Sequence, residues 1–174
     1  MGILGLAITF ASQDIASDFM AGLLLTFIRP FRTGDLIQSK DFFGYVEEID
    51  MRSTVGRSYQ GGERVILPNK QVLANPIINY TVSGQRRIEL TGTVLYKNNL
   101  QLVEEVAIKA VESVELRDPK RPIEFLYKEF SSNTIHFVVR FWTGADQETV
   151  VQAQSGAIKA IKQAFDDHEI AVVS

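Results

Sequence analysis

Residues that could do acid–base or metal chemistry are few in this sequence, and their spacing does not favour it. Cysteine is absent, which excludes thiolate nucleophiles, disulfides and cysteine-ligated zinc or iron–sulfur sites. The two histidines, His136 and His168, lie far apart in the sequence. The pair Glu47-Glu48 falls in a candidate strand, where neighbouring side chains point to opposite faces and cannot form an acid–base dyad. The sequence therefore predicts no enzyme, no metal site and no cofactor.

The composition is that of a folded protein without a broad basic surface. Of the 174 residues, 45% are hydrophobic and 22% are charged, and the formal net charge is -3. These values argue against disorder and against a nucleic-acid partner. The length fits one or two small domains and an additional element.

The first 28 residues have a different character, since they contain no basic residue and only two charges, Asp14 and Asp18. Their spacing is helical, and a helix of this length reaches about 42 Å, more than a bilayer core. An aspartate at mid-bilayer would cost roughly 2.5–3.5 kcal/mol. We therefore expect residues 1–13 to lie in the membrane, residues 14–28 to lie at its inner edge, and the helix to bend near Gln13–Asp14. Because thirteen helical residues cover only about 20 Å, we also expect the sequence to be part of a longer protein.

Within this helix one seam carries Ile3, Leu6, Phe10 and Gln13 at spacings of three and four residues. Small residues flank the seam on both sides and would allow two neighbouring helices to approach closely; they include Gly5, Ala7, Thr9 and Ala11. Such a helix suits a ring of identical helices in which Leu6 and Phe10 point to the axis. The alternative is a single helix whose Leu6–Phe10 face packs against other helices of the same subunit. Periodicity alone leaves both interpretations open.

The segment "FIRPFRTGDLIQ", residues 27–38, ends the apolar run. Arg29 and Arg32 agree with the excess of basic residues found on the cytoplasmic side of a membrane span. Pro30 is expected to stop the helix, and Gly34-Asp35 is expected to turn the chain into the first strand. An ordinary domain linker is the alternative interpretation.

Two folded regions follow. The first has short strands separated by turns, with a hairpin at Gly61-Gly62 and a helical turn over residues 68–75, which suggests a small barrel or sandwich; its predicted strands are Asp35–Ser39, Gly44–Asp50, Ser53–Ser58, Arg64–Leu67 and Ile77–Tyr80. The second has the order β-α-β-β-α-β of a ferredoxin-like unit. Its predicted elements are strands 86–95, 123–130, 135–141 and 170–173, and helices 99–114 and 146–165.

Three stretches together resemble the small-conductance mechanosensitive channel family: "GLAITFASQDIASDFMAGLLLTFIRPFRTGDLI", "GYVEEIDMRSTVGRS" and "ERVILPNKQVLANPIINYT". Residues 86–174 fit the α/β domain of that family in order and length. The resemblance implies a membrane α-helix, namely the C-terminal part of a pore-lining transmembrane helix and an interfacial helix, at residues 1–31. It further implies a small all-β (Sm-like or SH3-like) barrel domain at 32–84 and an α+β ferredoxin-like vestibule domain at 85–174.

The resemblance also implies the function of a mechanosensitive ion channel subunit. Such a channel is a homoheptamer in the bacterial inner membrane, opens under membrane tension and releases ions and small solutes in hypo-osmotic shock. Its partners would be membrane lipid, identical subunits and the permeating ions and solutes, and residues after about 29 would be cytoplasmic. The alternative is a membrane-anchored ring-forming scaffold or binding module without channel activity.

The resemblance assigns the residues of the helix to three roles. Leu6 and Phe10 form the pore constriction, where rings of apolar side chains exclude water and thereby ions. The helix-packing positions are Gly2, Gly5, Ala7, Thr9, Ala11 and Ser12, and the kink and cytoplasmic exit comprise Gln13, Asp14, Asp18, Gly22, Arg29, Pro30 and Arg32. The sequence departs from the family pattern in having Phe10 for a leucine and Thr9 and Asp14 for glycines. We expect the family's final barrel strand to be absent or cut off.

Overall fold

The structure, a computed structural model, describes the backbone of residues 2–172 and the side chains of residues 12–172. The chain divides into two compact units between Val82 and Ser83. The first unit holds a long helix and an all-β domain, and the second is an α+β domain. A helix followed by domains built on β-sheets is the general order that the sequence predicts.

The first unit begins with helix α1, Gly2–Ile28, which is followed by five short strands and one short helix. Their bounds are β1 Leu36–Ser39, β2 Phe42–Ile49, β3 Ser53–Ser58, β4 Arg64–Pro68, α2 Asn69–Ala74 and β5 Ile77–Asn79. The strands form one antiparallel sheet in the order β4-β3-β2-β1-β5. All five predicted strands are present, and α2 occupies the predicted helical turn.

The core of the first unit forms between this sheet and the two helices. Along β2, Phe42 and Val46 are buried, with a bulge between Val46 and Glu48. Leu25 of α1 and Val72 of α2 are also buried in this core. Both helices are therefore held to the β domain by apolar burial, the main favourable contribution to packing. The buried residues of this cluster are Leu25, Phe31, Ile37, Phe42, Val46 and Val72.

The second unit has three strands and two helices: β6 Gln85–Leu95, α3 Leu100–Glu112, β7 Glu124–Phe130, β8 Thr134–Gly144 and α4 Gln147–Asp167. The sheet is antiparallel in the order β6-β8-β7. Strand β8 extends beyond its predicted end at Phe141, because Trp142, Thr143 and Gly144 continue to pair with the start of β6.

Both helices of the second unit begin with the side chains that local chemistry favours. Asn99 caps α3 by accepting from the backbone N–H groups of Gln101 and Leu102. Asp146 caps α4 by accepting from Thr149 N–H at 2.8 Å. The apolar faces of the helices pack on the sheet in one core. The buried helix residues are Val103, Val106, Ala107, Ala110, Val111, Val150, Ala153, Ala157 and Phe165.

The closing strand predicted at residues 170–173 does not form within the described residues. Only an isolated antiparallel bridge joins Val172 to Val94. Next to this bridge Leu95 N–H donates to Ala171 O at 3.0 Å. Asn98 adds two contacts, since its Nδ2 donates to Ala171 O at 2.8 Å and its Oδ1 accepts from Ala171 N–H at 3.0 Å. One backbone hydrogen bond and the Asn98 side chain thus hold residues 171–172 beside the end of β6.

Candidate functional site

Helix α1 ends at the arginine–proline pair, as the sequence predicts. Its last residue is Ile28, and Arg29 adopts φ 49°, a left-handed conformation typical of helix ends. The Arg29 N–H donates to Leu25 O at 2.9 Å, and its Nε donates to Thr26 O at 3.1 Å. Pro30 has no N–H with which to continue the pattern. The guanidinium therefore covers a carbonyl oxygen at the C-terminus of the helix, where positive charge is favourable.

The chain that leaves the helix is held by the side chain of Asp35. Its Oδ2 accepts from Arg32 N–H at 2.9 Å and from Asn79 Nδ2 at 2.8 Å. Asn79 Nδ2 also donates to Pro30 O at 3.3 Å, and Asn79 Oδ1 accepts from Thr81 N–H at 3.0 Å. Asn79 thus connects the helix exit, the first turn and the last strand of the β domain.

Two residues of the exit segment fix its path. Phe31 is 1% exposed and belongs to the core of the first unit. Gly34 adopts φ 93°, which side chains other than glycine rarely accept. Its N–H donates to Val46 O at 2.8 Å. The predicted turn at Gly34-Asp35 is confirmed, and the chain enters β1 in a defined register.

Helix α1 packs against the β domain through a glycine. Gly22 is buried, and a Cβ atom added there would overlap the carbonyl oxygen of Met51 and lie 2.7 Å from Asn69 Nδ2. Its neighbours Ala21 and Leu25 are buried too. The absence of a side chain allows the helix backbone to approach the β2–β3 turn directly.

Beneath this contact lies Asn69, which is fully buried. Its Nδ2 donates to Asp50 O at 2.8 Å, and its Oδ1 accepts from the Thr54 hydroxyl at 2.9 Å. Its backbone N–H donates to Arg52 O at 3.0 Å. Because a buried amide is stable only when it is hydrogen-bonded, Asn69 fixes the β2–β3 turn against the start of α2.

The two aspartates of α1 both bind the residue that follows Asn69. Asp18 Oδ1 accepts from the Lys70 backbone N–H at 2.9 Å, a group that the first turn of a helix leaves open. Asp14 Oδ1 lies 2.8 Å from Lys70 Nζ. The hydrogen bond and the charge of Asp14 raise the pKa of the Lys70 amine above its ordinary value. We call the contact formed by Asp14, Asp18, Gly22, Asn69 and Lys70 the helix seat.

The opposite side of the described part of α1 carries exposed apolar side chains. Ile15, Phe19, Leu23 and Phe27 recur at intervals of four residues; Leu23 is half-buried and the other three are exposed. Phe27 is 82% exposed. The complete exposed apolar set is Ile15, Phe19, Met20, Leu24, Phe27 and Ile28.

The predicted constriction lies outside the described side chains. Leu6 and Phe10 lie within helix α1, for which only the backbone is described at these positions, and so do the packing positions Gly2, Gly5, Ala7, Thr9 and Ala11. Ser12 and Gln13 are exposed. Assignment as helix is continuous through Gln13–Asp14, and the bend there stays a prediction. Among the described residues, no helix combines the length and the apolar character needed to cross a membrane.

Sequence reasoning identified Asp14, Asp18 and Gly22 but not their partners. Asn69 and Lys70 were seen only as the start of a helical turn. Asn79 belongs to an Asn-Tyr-Thr triplet that resembles a glycosylation site, and that pattern gives no sign of its structural role. One sequence feature could have indicated the structural role of Asn79: this amide side chain directly follows the apolar pair Ile77-Ile78. Within the described residues, no group of three or more potential ligands could hold a metal ion.

Comparisons with known proteins give consistent matches. The family model for the mechanosensitive ion channel β-domain matches residues 14–82. The small-conductance mechanosensitive channel of Helicobacter pylori is 28% identical over 172 residues, which cover 99% of this chain and 62% of that protein. An uncharacterized MscS family protein of Buchnera aphidicola subsp. Baizongia pistaciae is 30% identical over 98% of this chain and 59% of its own length. The chain thus spans about three fifths of these two relatives.

Solved structures agree with these relatives. The crystal structure of H. pylori MscS in a closed state has a TM-score of 0.92 and 28% identity, covering 99% of this chain and 68% of that one. Arabidopsis thaliana MSL1, at 19% identity and a TM-score of 0.83, covers 99% of this chain and 64% of its own and supports the fold alone. From the β-domain match, the relatives and the structural similarity together, we conclude that this chain belongs to the small-conductance mechanosensitive channel (MscS) family.

Proposed function

We propose that the chain is the pore-helix and vestibule portion of a channel subunit that opens under membrane tension. The observation that carries the proposal is the similarity along 99% of the chain to a mechanosensitive channel solved in a closed state. The family is one of channels and not of enzymes. The physiological role that follows is release of ions and small solutes in hypo-osmotic shock, without a cofactor.

The proposed gate is formed by Leu6 and Phe10. Rings of apolar side chains around a narrow pore exclude water, and ions do not pass without their hydration. Phenylalanine is bulkier than the usual leucine. A ring of Phe10 side chains therefore closes a wider neck as completely as a ring of leucine side chains closes a narrower one. Tension then favours the state that occupies more membrane area, which is a shift between two populations.

The proposed assembly is a homoheptamer in the bacterial inner membrane, with residues after about 29 in the cytoplasm. Small residues at the packing positions, Gly2, Gly5, Ala7, Thr9, Ala11 and Ser12, would let neighbouring helices approach closely. The exposed apolar side of α1, with Phe27 and Ile28 at its end, would meet lipid or a neighbouring subunit. Arg29 and Arg32 follow at the cytoplasmic exit, in accord with the positive-inside bias.

The helix seat would transmit motion of α1 to the β domain. Two hydrogen bonds at Lys70 and the close contact at Gly22 link the helix to the β domain. If the part of α1 that precedes the helix seat moves, these contacts must either move the β domain with it or break.

For the rest of the chain we propose an Sm-like barrel at residues 32–84 and a ferredoxin-like vestibule domain at 85–174. The order β6-α3-β7-β8-α4 supports the second assignment. The antiparallel bridge from Val172 to Val94 on β6 is the connection that a fourth ferredoxin-like strand would extend.

The test is patch-clamp recording of the complete protein in lipid vesicles under increasing suction. Stepwise currents that appear only with tension are the expected result. If protein shown to be inserted and assembled gives no current up to membrane rupture, the proposal of a tension-gated channel is contradicted. A ring-forming scaffold without conductance would then be favoured.

A single substitution tests the gate. Phe10→Ser makes the neck wettable, so we expect currents at lower tension and slowed growth of cells that express the complete protein. Phe27→Ser is the matched control, since Phe27 lies at the exposed end of α1 and outside the proposed constriction. Equal behaviour of the two variants would remove Phe10 from the gate.

A further inference from the structure

The outer face of the sheet in the second unit carries two consecutive cross-strand pairs that differ in charge balance. Strands β6 and β8 pair Glu89 with Arg140 and, two residues away on each strand, Arg87 with Trp142. Side chains two residues apart on a strand share a face. The guanidinium groups of Arg140 and Arg87 therefore lie on the same face, each in one of the two pairs.

The first guanidinium is fully matched by carboxylates. Arg140 Nε lies 2.7 Å from Glu89 Oε2, and its Nη1 lies 3.6 Å from Glu124 Oε2. Lys128 adds a second contact to Glu89 at 3.5 Å. The hydrogen bond from Arg140 lowers the pKa of the Glu89 carboxyl, and this part of the face is a balanced network.

The second position gathers positive charge without a matching carboxylate. Arg87 Cζ lies 5.9 Å and Arg121 Cζ lies 5.1 Å from the centre of the Trp142 ring, within the range of cation–π attraction. None of the ion pairs formed by described side chains includes Arg87 or Arg121. We call Arg87, Arg121 and Trp142 the indole patch.

A nearby acidic group, Asp118, is engaged elsewhere. Its Oδ2 accepts from Gln85 Nε2, and its Oδ1 accepts from Lys120 N–H at 2.9 Å. Gln85 in turn uses its Oε1 to accept from Arg121 Nε and Nη2 at 3.2 and 3.1 Å. A neutral amide thus orients the Arg121 guanidinium without neutralising it, and leaves its Nη1 available.

A third arginine supports the same loop. Arg117 Nη1 donates to the carbonyl oxygens of Asp118 and Arg121 at 3.1 and 3.2 Å. Its Nε is buried and has no hydrogen-bond partner within the described structure. Backbone and side-chain contacts therefore preorganise a loop rich in cations beside Trp142, which lowers the entropy lost when a ligand binds.

We propose that the indole patch is a binding site for a phosphate group, either inorganic phosphate or the phosphate of a small organic ester. Both guanidinium groups lie near the Trp142 ring, at 5.9 and 5.1 Å from its centre, and a doubly charged oxyanion bound there would offset their mutual repulsion. Planar guanidinium forks match the oxygens of phosphate and bind them through charge-assisted hydrogen bonds. Arg87, with no carboxylate partner among the described residues, supplies one fork, and Arg121 supplies its free Nη1.

The chain contains one tryptophan, so its fluorescence reports on this patch alone. The experiment is a titration of the full chain with inorganic phosphate and, separately, with glycerol phosphate, at constant ionic strength maintained with chloride. We expect a saturable change in Trp142 emission. Equal affinities would identify the phosphate group itself as the ligand, and tighter binding of the ester would identify an organic phosphate; both support the site.

Variants separate a site from general screening. Arg87→Gln and Arg121→Gln should each weaken binding about tenfold or more, because a charge-assisted hydrogen bond is lost. Arg140→Gln is the matched control, since it removes a cation of the same face that pairs with Glu89 and Glu124. It should weaken binding much less than the other two variants, because no hydrogen bond to the phosphate is lost. Arg121→Lys keeps the charge and serves if Arg121→Gln does not fold; loss of affinity there supports recognition by the fork. A linear response that chloride reproduces, or equal weakening by all variants, would overturn the proposal.

Discussion

Helices α1 and α4 are the two longest helices among the described residues, and they bury their apolar side chains differently. Helix α4 sends Val150, Ala153, Ala157 and Phe165 into the core of the second unit and leaves Val151 and Ile158 outside. The described part of α1 buries Ala21, Gly22 and Leu25, and it leaves six large apolar side chains exposed; these are Ile15, Phe19, Met20, Leu24, Phe27 and Ile28.

The difference shows which helix has its apolar face covered by residues of its own unit. Full burial of a side chain such as Leu, Ile or Phe contributes about 1.5–3 kcal/mol, so α4 gains most of its stability from its own unit. Helix α1 gains less from burial, since only Ala21 and Leu25 are buried apolar side chains in its described part. The contacts at Lys70 and the close approach at Gly22 add to them. This pattern supports our proposal that lipid or neighbouring subunits cover the rest of α1.

The largest expected effect comes from adding one methyl group at the helix seat. Gly22→Ala places a Cβ against the Met51 carbonyl oxygen, a backbone atom that cannot rotate away. Overpacking of this kind costs about 1–3 kcal/mol, and we expect much faster amide hydrogen exchange in residues 18–28 of α1.

The matched substitution in α4 should have the opposite sign. At Gly156 an added Cβ would meet only Val114 Cγ1 at 3.9 Å, an ordinary contact. Replacing a helical glycine by alanine then stabilises the helix by about 0.5–1 kcal/mol, and exchange in α4 should slow. Similar slowing at Gly22→Ala would contradict the close packing of α1.

The second prediction concerns the buried amide of the helix seat. Asn69→Ala leaves the Asp50 carbonyl oxygen and the Thr54 hydroxyl without their partner, and such a loss costs about 1–3 kcal/mol. Thermal melting should fall and exchange should rise in α2 and in the β2–β3 turn. Asn75→Ala is the control, because Asn75 Nδ2 donates to Gln71 O at an exposed position. Equal losses from the two variants would show that burial of Asn69 has no special role.

Sequence patterns predicted elements that are held by their own residues. In β8 the inward positions Ile135, Phe137, Val139 and Phe141 recur at every second residue, although Val138 between them is buried as well. The caps Asn99 and Asp146 precede the apolar periodicity of α3 and α4. These signals are local, so they can be read without knowledge of the tertiary structure.

The helix seat could be predicted only in part, since its members lie far apart in the sequence. Asp18 and Lys70 are 52 residues apart, and no local pattern joins them. The indole patch was not predicted for the same reason: Arg121 reaches Trp142 from a loop, and Gln85 determines the orientation of its guanidinium. Of the strand predicted at 170–173, the described residues show the bridge between Val172 and Val94 and the hydrogen bond from Leu95 N–H to Ala171 O.

The third prediction uses pH to test how α4 begins. The side chain and backbone N–H of Thr149 hold the pKa of Asp146 below its ordinary value. The ionised cap therefore stabilises the folded state above the unfolded pKa, near 3.8, and that contribution disappears as the pH falls through the folded value. Asp146→Ala should cost about 1 kcal/mol at neutral pH.

The control for that test keeps the cap but removes its titration. Asp146→Asn retains an acceptor for Thr149 N–H and should melt close to the parent at neutral pH. The stability difference between parent and Asp146→Asn should change as the pH falls from about 6 to about 3. A difference that is constant with pH would rule out a titrating cap.

The smallest expected effect separates the two contacts at Lys70. The side-chain pair with Asp14 is exposed, 53% and 83%, and such pairs weaken with added salt. Lys70→Met should therefore speed exchange near Asp14 slightly at low salt and abolish its salt dependence. The bond from the Lys70 backbone N–H to Asp18 survives this change, so exchange near Asp18 should not alter.

In α4, Lys162→Met removes a comparably exposed pair with Asp166, but there the apolar face holds the helix and exchange should stay constant. If Lys162→Met had the larger effect, surface charge would matter more to α4 than to α1, and the contrast between the two helices would fail.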